Sequence, residues 1–193
     1  MNEKLKAFIE ENIELIDSKQ FKKLYDNFHK SKIASWMLGE FTQSLWDANI
    51  HPELYMNELP LWFTHTNFEL KGFTIPGNIK KVCDGAFGYC RNLEALILAE
   101  GVESLGNHIL SGCENVKKLS LPKSLKYVGD GTFWGCWNIA DQLEILYNGT
   151  ITDFENIYFE SPLTRGSVDI ICTDGIKTMV GLDHPYGKVD VRG

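Results

Sequence analysis

Three cysteines, Cys90, Cys113 and Cys136, stand 23 residues apart, and their whole neighbourhood moves with them. Phe73, Leu96 and Leu119 share the interval, as do Ile75, Leu98 and Leu121. Val82, Leu105 and Val128 follow it, then Phe87, Leu110 and Phe133, then Leu93, Val116 and Ile139. Small and polar positions recur as well: Pro76 and Pro122, Asp84, Asn107 and Asp130, Gly106 and Gly129. A fixed period of this length is the mark of a solenoid, in which no single unit can bury its own apolar residues and stacked units share one core. Such an array leaves little room for a buried catalytic pocket.

Composition narrows the partners. The 193 residues suffice for one or two domains with a substantial core. A net charge of −7 and a pI near 5.2 argue against nucleic acid, which needs clustered Lys and Arg. The pairs Lys22-Lys23, Lys80-Lys81 and Lys117-Lys118 are isolated and read as solvated surface. No run approaches the ~18 apolar residues of a membrane helix. The opening MNEKLKAFIEEN is too charged for a signal peptide, so a cytoplasmic location is expected. Five cysteines, an odd number, point to reduced thiols rather than a disulfide scaffold.

Residues 1–58 read as a helical N-terminal cap. Leu5, Phe8, Ile9, Ile13 and Ile16 recur at helical spacing behind Asn2 as N-cap. Ser18 can cap a second helix carrying Phe21, Leu24, Tyr25 and Phe28, and a third begins near Ser31 with Ile33, Trp36, Met37, Phe41 and Leu45. A short helix follows at His51-Pro52. Residues 59–159 read as the solenoid, about three 23-residue repeats and a degenerate fourth, and 160–193 as a C-terminal capping segment. The fold class is α+β. A shift of 26 aligns Ile145 with Leu119, Tyr147 with Leu121 and Phe154 with Val128, implying an insertion near Ala140-Asp-Gln. Val168-Asp-Ile-Ile-Cys172 reads as one more strand, and the tail from Gly187 is weakly specified.

The runs Ile75-Pro-Gly-Asn-Ile-Lys-Lys-Val-Cys-Asp-Gly-Ala-Phe-Gly-Tyr-Cys-Arg-Asn-Leu93 and Leu121-Pro-Lys-Ser-Leu-Lys-Tyr-Val-Gly-Asp-Gly-Thr-Phe-Trp-Gly-Cys-Trp-Asn-Ile139 resemble the BspA-like, Treponema-type leucine-rich repeat. In the middle repeat Ile109-Leu110 replaces Ala-Phe. The resemblance covers roughly residues 60–176 and implies a repeat solenoid that binds proteins. The helical leader with Leu45-Trp-Asp-Ala-Asn-Ile-His-Pro-Glu-Leu-Tyr-Met56 is similar to short repeat proteins of bacteria and their phages. That resemblance implies a small phage-borne protein that inhibits a host protein, for example a defence factor. The alternative is an adhesive module displayed on a cell or virion.

The spacing of the cysteine ladder is wrong for zinc, which favours Cys pairs two to four apart, so Cys90, Cys113 and Cys136 are read as buried packing thiols. Cys83 sits outside the ladder and would be reactive only if exposed. His29, His51, His65, His108 and His184 match no metal motif, and no nucleophile elbow or phosphate loop occurs. No enzyme activity, metal or cofactor is expected. Asn148-Gly-Thr150 reads as a turn rather than a glycosylation site. Two surfaces remain as candidates for binding a protein partner. Strand alternation puts Thr74, Ile97, Ser120 and Leu146 in one outward column, with Gly72, Ala95, Lys118 and Glu144 in the next. Trp134 and Trp137 occupy places held elsewhere by Gly, Ser, Arg or Glu, which fits either a contact surface or cover by the C-terminal segment. Trp36, Trp46 and Trp62 are expected to join the helical block to the first coil, and self-association through an uncapped end or the Trp pair is the further partner option.

Overall fold

The computed structural model describes residues 2–134, 143–163 and 167–180. Cys136, Trp137, the expected insertion near residues 140–142 and the tail from Gly187 lie outside the described residues. The helical block contains α1 (Glu3–Glu11), α2 (Ile13–Asp17), α3 (Phe21–Lys30) and α4 (Leu38–Asp47), with 3-10 turns at Ser35–Met37 and Pro52–Tyr55. Asn2 caps α1 as expected, accepting from the Lys4 amide at 2.9 Å.

The continuous first helix does not form. It breaks at Asn12, whose side chain donates to the Phe8 carbonyl and accepts from the Asn27 amide, both at 2.9 Å. A side chain that bonds its own backbone competes with helix continuation, and Ile13 is left exposed. Nor does Ser18 cap α3. Its hydroxyl donates back to the Glu14 carbonyl, and α3 starts after Gln20. Ser31 closes α3 instead of opening the next helix, its amide donating to the Phe28 carbonyl at 3.0 Å.

Five two-residue strands stack as one parallel sheet: β1 (Glu58–Leu59), β3 (Lys81–Val82), β5 (Ser104–Leu105), β7 (Tyr127–Val128) and β9 (Tyr158–Phe159). A longer sheet runs β2 (Gly72–Ile75), β4 (Ala95–Leu98), β6 (Lys118–Leu121), β8 (Glu144–Tyr147), β10 (Val168–Cys172) and β11 (Gly175–Met179), parallel except for the last, antiparallel pair. Together they make a β-solenoid of about four turns under an N-terminal helical cap, as the period requires. The inward column Phe73–Leu96–Leu119–Ile145–Ile170 of the long sheet faces Leu59–Val82–Leu105–Val128 of the short one across a single core.

The coil-to-coil geometry starts before the first readable repeat. Leu59 pairs with Val82, and the amides of Trp62, Thr64 and Thr66 donate to the carbonyls of Asp84, Ala86 and Gly88 at 3.2, 2.7 and 2.8 Å. Asn67 stands one interval before Cys90, and its side-chain oxygen accepts from the Glu69 and Leu70 amides at 3.0 and 3.1 Å. The helical block docks on this coil. Tyr25 Oη lies 2.8 Å from Thr42 Oγ1, which donates to the Phe63 carbonyl at 2.7 Å, satisfying three buried polar groups in one chain of bonds. Trp46 stacks on Phe73 with centroids 5.3 Å apart, and Trp62 is half-buried against His29 and His65. Trp36, by contrast, is 58% exposed on its 3-10 turn and joins the first coil only through its carbonyl, which accepts from the Thr66 hydroxyl.

The recurrent polar positions turn out to be bonds between coils. The Asn107 amide donates to Asp84 Oδ1 at 2.9 Å, and the Asp130 amide to Asn107 Oδ1 at 2.8 Å. Gly106 and Gly129 recur because these side-chain oxygens sit where a Cβ would go. Asn92 and Asn115 donate to the Phe68 and Arg91 carbonyls, each at 2.6 Å.

The terminal unit obeys the 26-residue shift only in the long sheet, where Ile145 pairs with Leu119 and Tyr147 with Leu121. Val128 pairs with Phe159, not Phe154. The reason is a helix, α5 (Ile151–Glu155), inserted between the two strands by a capping box: Asp153 N donates to Thr150 Oγ1 at 3.1 Å, and Thr150 N to Asp153 Oδ2 at 3.0 Å. Phe154 is buried within that helix.

Two outcomes are expected. Gly129→Ala puts a methyl into the Asn107 side-chain oxygen and 2.8 Å from the Gly106 carbonyl carbon. Thermal unfolding should show it destabilised by about 1–3 kcal/mol. Gly72→Ala, whose methyl meets nothing nearer than the Ala95 oxygen at 3.8 Å, should be neutral or gain about 0.5 kcal/mol. Second, the Thr150 amide, Lys123 and the Thr150 hydroxyl hold the Asp153 carboxyl down to about 2, below its ordinary 3.8. The charged form favours the fold, so its contribution is whole above pH 3.8 and is lost as pH falls toward 2. Asp153→Asn should flatten the acid limb of stability measured by melting temperature between those two pH values.

Candidate functional site

The long sheet presents its outer face to solvent, and strand register builds the expected column. Thr74 pairs with Ile97, Ile97 with Ser120, and Ser120 with Leu146. Two further steps were not read from the sequence. Leu146 pairs with Ile171, and Ile171 with Ile176 across the terminal hairpin. Ile97 is 37% exposed, Ile171 41% and Ile176 62%, with Leu146 half-buried between them. The apolar content therefore rises from the helical cap toward the far end of the sheet. The signal for the extension lay in Thr173-Asp174-Gly175, turn-forming residues directly after the strand-like run Val168–Cys172.

The neighbouring column is polar. Gly72, Ala95, Lys118 and Glu144 share the register, and Lys118 Nζ lies 3.6 Å from Glu144 Oε2 with both side chains about half exposed. Asp169 and Thr178 continue this border, the Thr178 hydroxyl donating to Asp169 Oδ1 at 2.6 Å. An apolar strip beside charged residues is the layout of a contact surface with a wettable edge.

Trp134 belongs elsewhere. It lies on the turn side of the coil, half-buried, and its indole N–H donates to the Pro162 carbonyl at 3.4 Å. The indole thus reaches the chain that follows β9, and the long-sheet columns do not include it.

The thiols are engaged in structure. Cys90 Sγ donates to the Thr64 carbonyl at 3.1 Å and Cys113 Sγ to the Phe87 carbonyl at 3.0 Å, each reaching back one coil. Burial pushes the Cys90 thiol up to about 11. Burial first, then the Glu58 carboxylate, raises half-buried Cys83 above its ordinary value, which disfavours the thiolate. Burial lowers the His65 pKa below its ordinary value. Of the lysines lining the recess of about 340 Å³ beside the start of α3, Lys22 pairs with Glu58 and Lys19 lies 4.4 Å over the Tyr55 ring. Among the described residues no three His, Cys, Asp or Glu side chains converge as metal ligands. Among the same residues no helix is long and apolar enough to cross a membrane.

Stacked parallel coils, a one-coil interval of 23 residues and an open sheet face define a leucine-rich repeat scaffold. The model of the BspA type leucine rich repeat region matches residues 62–174 in six copies, more than half of the chain, which belongs to this family. Comparison with curated proteins and with solved structures returned no match. Membership supports a protein–protein interaction module, since repeat arrays of this kind work through their extended faces and are typically non-enzymatic.

Native-state labelling with a thiol reagent at pH 8 should modify Cys83 before Cys90 and leave Cys90 untouched until the protein unfolds. Mass mapping of the labelled peptides checks the order. Early labelling of Cys90 would contradict the packing described here.

Proposed function

We propose that the chain is a non-enzymatic binding protein that engages one protein partner through the outer face of its long sheet. The observation that carries this reading is the continuous outward column Thr74–Ile97–Ser120–Leu146–Ile171–Ile176, whose apolar members serve no internal packing. The core is filled by the alternate residues of the same strands, so the exposed ones are free to vary with a partner. Recognition by occupying a surface requires no cofactor and no moving part. Small size, net negative charge and the likeness to short bacterial and phage repeat proteins support action in the cytoplasm. There the protein would block a host protein, such as a defence factor, by masking its working surface.

The test is a comparative capture from host lysate. Wild type, the triple variant Ile97→Lys/Leu146→Lys/Ile171→Lys and the off-face control Ile13→Lys are immobilised in parallel. A protein retained by wild type and control but lost from the triple variant is the expected result. Each buried apolar side chain in such a contact contributes on the order of 1–2 kcal/mol, so the triple variant should weaken binding at least about a hundredfold. Equal retention by the triple variant would sink the reading.

A further inference from the structure

The solenoid has two ends, and they are finished differently. At the first end, α3 and α4 cover the opening coil through the Tyr25–Thr42–Phe63 bonds and the Trp46–Phe73 stack. At the other, the long sheet ends on β11, which among the described residues is paired on one side alone, to β10. Strand edges of this kind carry unpaired backbone groups and are templates for another strand.

The direction of those groups follows from the hairpin. Thr173 and Asp174 form its two-residue turn, with Cys172 facing Gly175. The pair flanking such a turn exchanges backbone bonds and alternate pairs do so from there, which turns the N–H and C=O of Ile176, Thr178 and Val180 toward the open edge. The same three residues lie on the outer face of the sheet. Ile176 is 62% and Val180 65% exposed, the highest values among the exposed apolar residues after Tyr158 is set beside them at 63%.

This edge is complementary to itself. If two copies of β11 run antiparallel with Thr178 opposite Thr178, Ile176 of each faces Val180 of the other, and Lys177 faces Met179. All of the outward backbone groups at 176, 178 and 180 then fall in bonded pairs. The cross-strand partners are β-branched residues on one face, the kind of pair that sheets favour. Lys177 does not oppose this arrangement: it points to the inner face, where Glu155 Oε1 holds its Nζ at 2.6 Å. The nearest like charges on the outer face are the two Asp169 side chains. They would be three strand spacings apart, about 14 Å, beyond the ~8 Å screening length of physiological salt.

We propose that β11 is a self-association edge, pairing with a second copy of the chain about Thr178 to join two long sheets into one twofold-symmetric face. This goes beyond the partner reading above and stands without it.

Sedimentation of the full chain over a concentration series tests it, with Ile176→Lys and Thr178→Pro beside the wild type. The proline removes only an amide aimed at the open edge, so pairing with β10 survives. The expected result is a concentration-dependent rise from the 21.9 kDa monomer to twice that mass, weakened by about tenfold or more in either variant. Hydrogen exchange at Ile176, Thr178 and Val180 should slow as concentration rises. A wild type that stays monomeric at every concentration overturns the proposal. So does a dimer indifferent to both variants, or edge amides equally protected at all concentrations, which would mean that the chain covers its own edge. A monomer that still loses its captured partner in the Ile97 triple variant would remove this proposal and leave the partner reading intact.

Discussion

The backbone bond from each coil to the next fixes nearly everything else in the molecule. Turn amides donate one coil onward and amides beside the strands one coil back, so that equivalent residues lie directly above one another, about one strand spacing apart. At that distance no two large side chains can share an inward or tightly curved site without interlocking. The turn corners show the consequence. Trp62, Gly85, His108 and Gly131, successive equivalents, all adopt left-handed backbone with φ between 53° and 59°. A carbon added at Gly85 would lie 2.6 Å from Trp62 Cδ1, and one at Gly131 the same distance from His108 Nδ1. Bulky and bare residues therefore alternate, each ring resting on the next coil's glycine. The strain of a left-handed Trp or His, on the order of 1–2 kcal/mol, is carried by that contact and by the bonds on either side.

The same locking explains which buried groups needed a special residue. Inside the stack a thiol adds a second donor to a turn carbonyl one coil back, Cys90 to Thr64 and Cys113 to Phe87, and at the surface a carboxamide reaches back in the same way, Asn92 to Phe68 and Asn115 to Arg91. The cysteine interval is thus more than a record of small side chains. At Cys90 and Cys113 it marks a buried carbonyl one coil back that the thiol reaches in addition to the backbone amide already bonded there.

The period made the strands, their facing and the outward column legible, because all three depend on stacking alone. It failed wherever a local interaction outranked stacking. Asn12 ended a helix that apolar spacing would have continued, by bonding the Phe8 carbonyl. Thr150 and Asp153 built α5 inside a coil and moved the short-sheet partner of Val128 from Phe154 to Phe159. The first coil hid for a related reason. Asn67 and Trp62 stand where the next unit has Cys90 and Gly85, so its consensus is broken although Leu59 and Leu70 keep the interval. Trp36 was misplaced because helical spacing cannot distinguish a 3-10 turn that rotates the ring to solvent.

Once stacking has claimed the inner residues, the outer face of the long sheet can change without disturbing the fold, and its composition is uneven. Near the helical cap it carries Gly72 and Thr74; at the far end it carries Leu146, Ile171 and Ile176. Charged pairs span adjacent coils, Lys118 with Glu144, Lys117 with Glu94 and Lys126 with Glu103, at 3.6, 3.7 and 2.7 Å. Each is solvent-exposed and screened by water and salt, too weak to account for the rigidity of the stack. Their positions carry more weight than their energies. The Lys118–Glu144 pair borders the apolar column with groups that stay hydrated, so a partner of the kind proposed would displace water from the strip without stripping the charges. A solenoid stabilised by its interior leaves its exterior free in this way, and the graded column is where this chain departs from a uniform repeat.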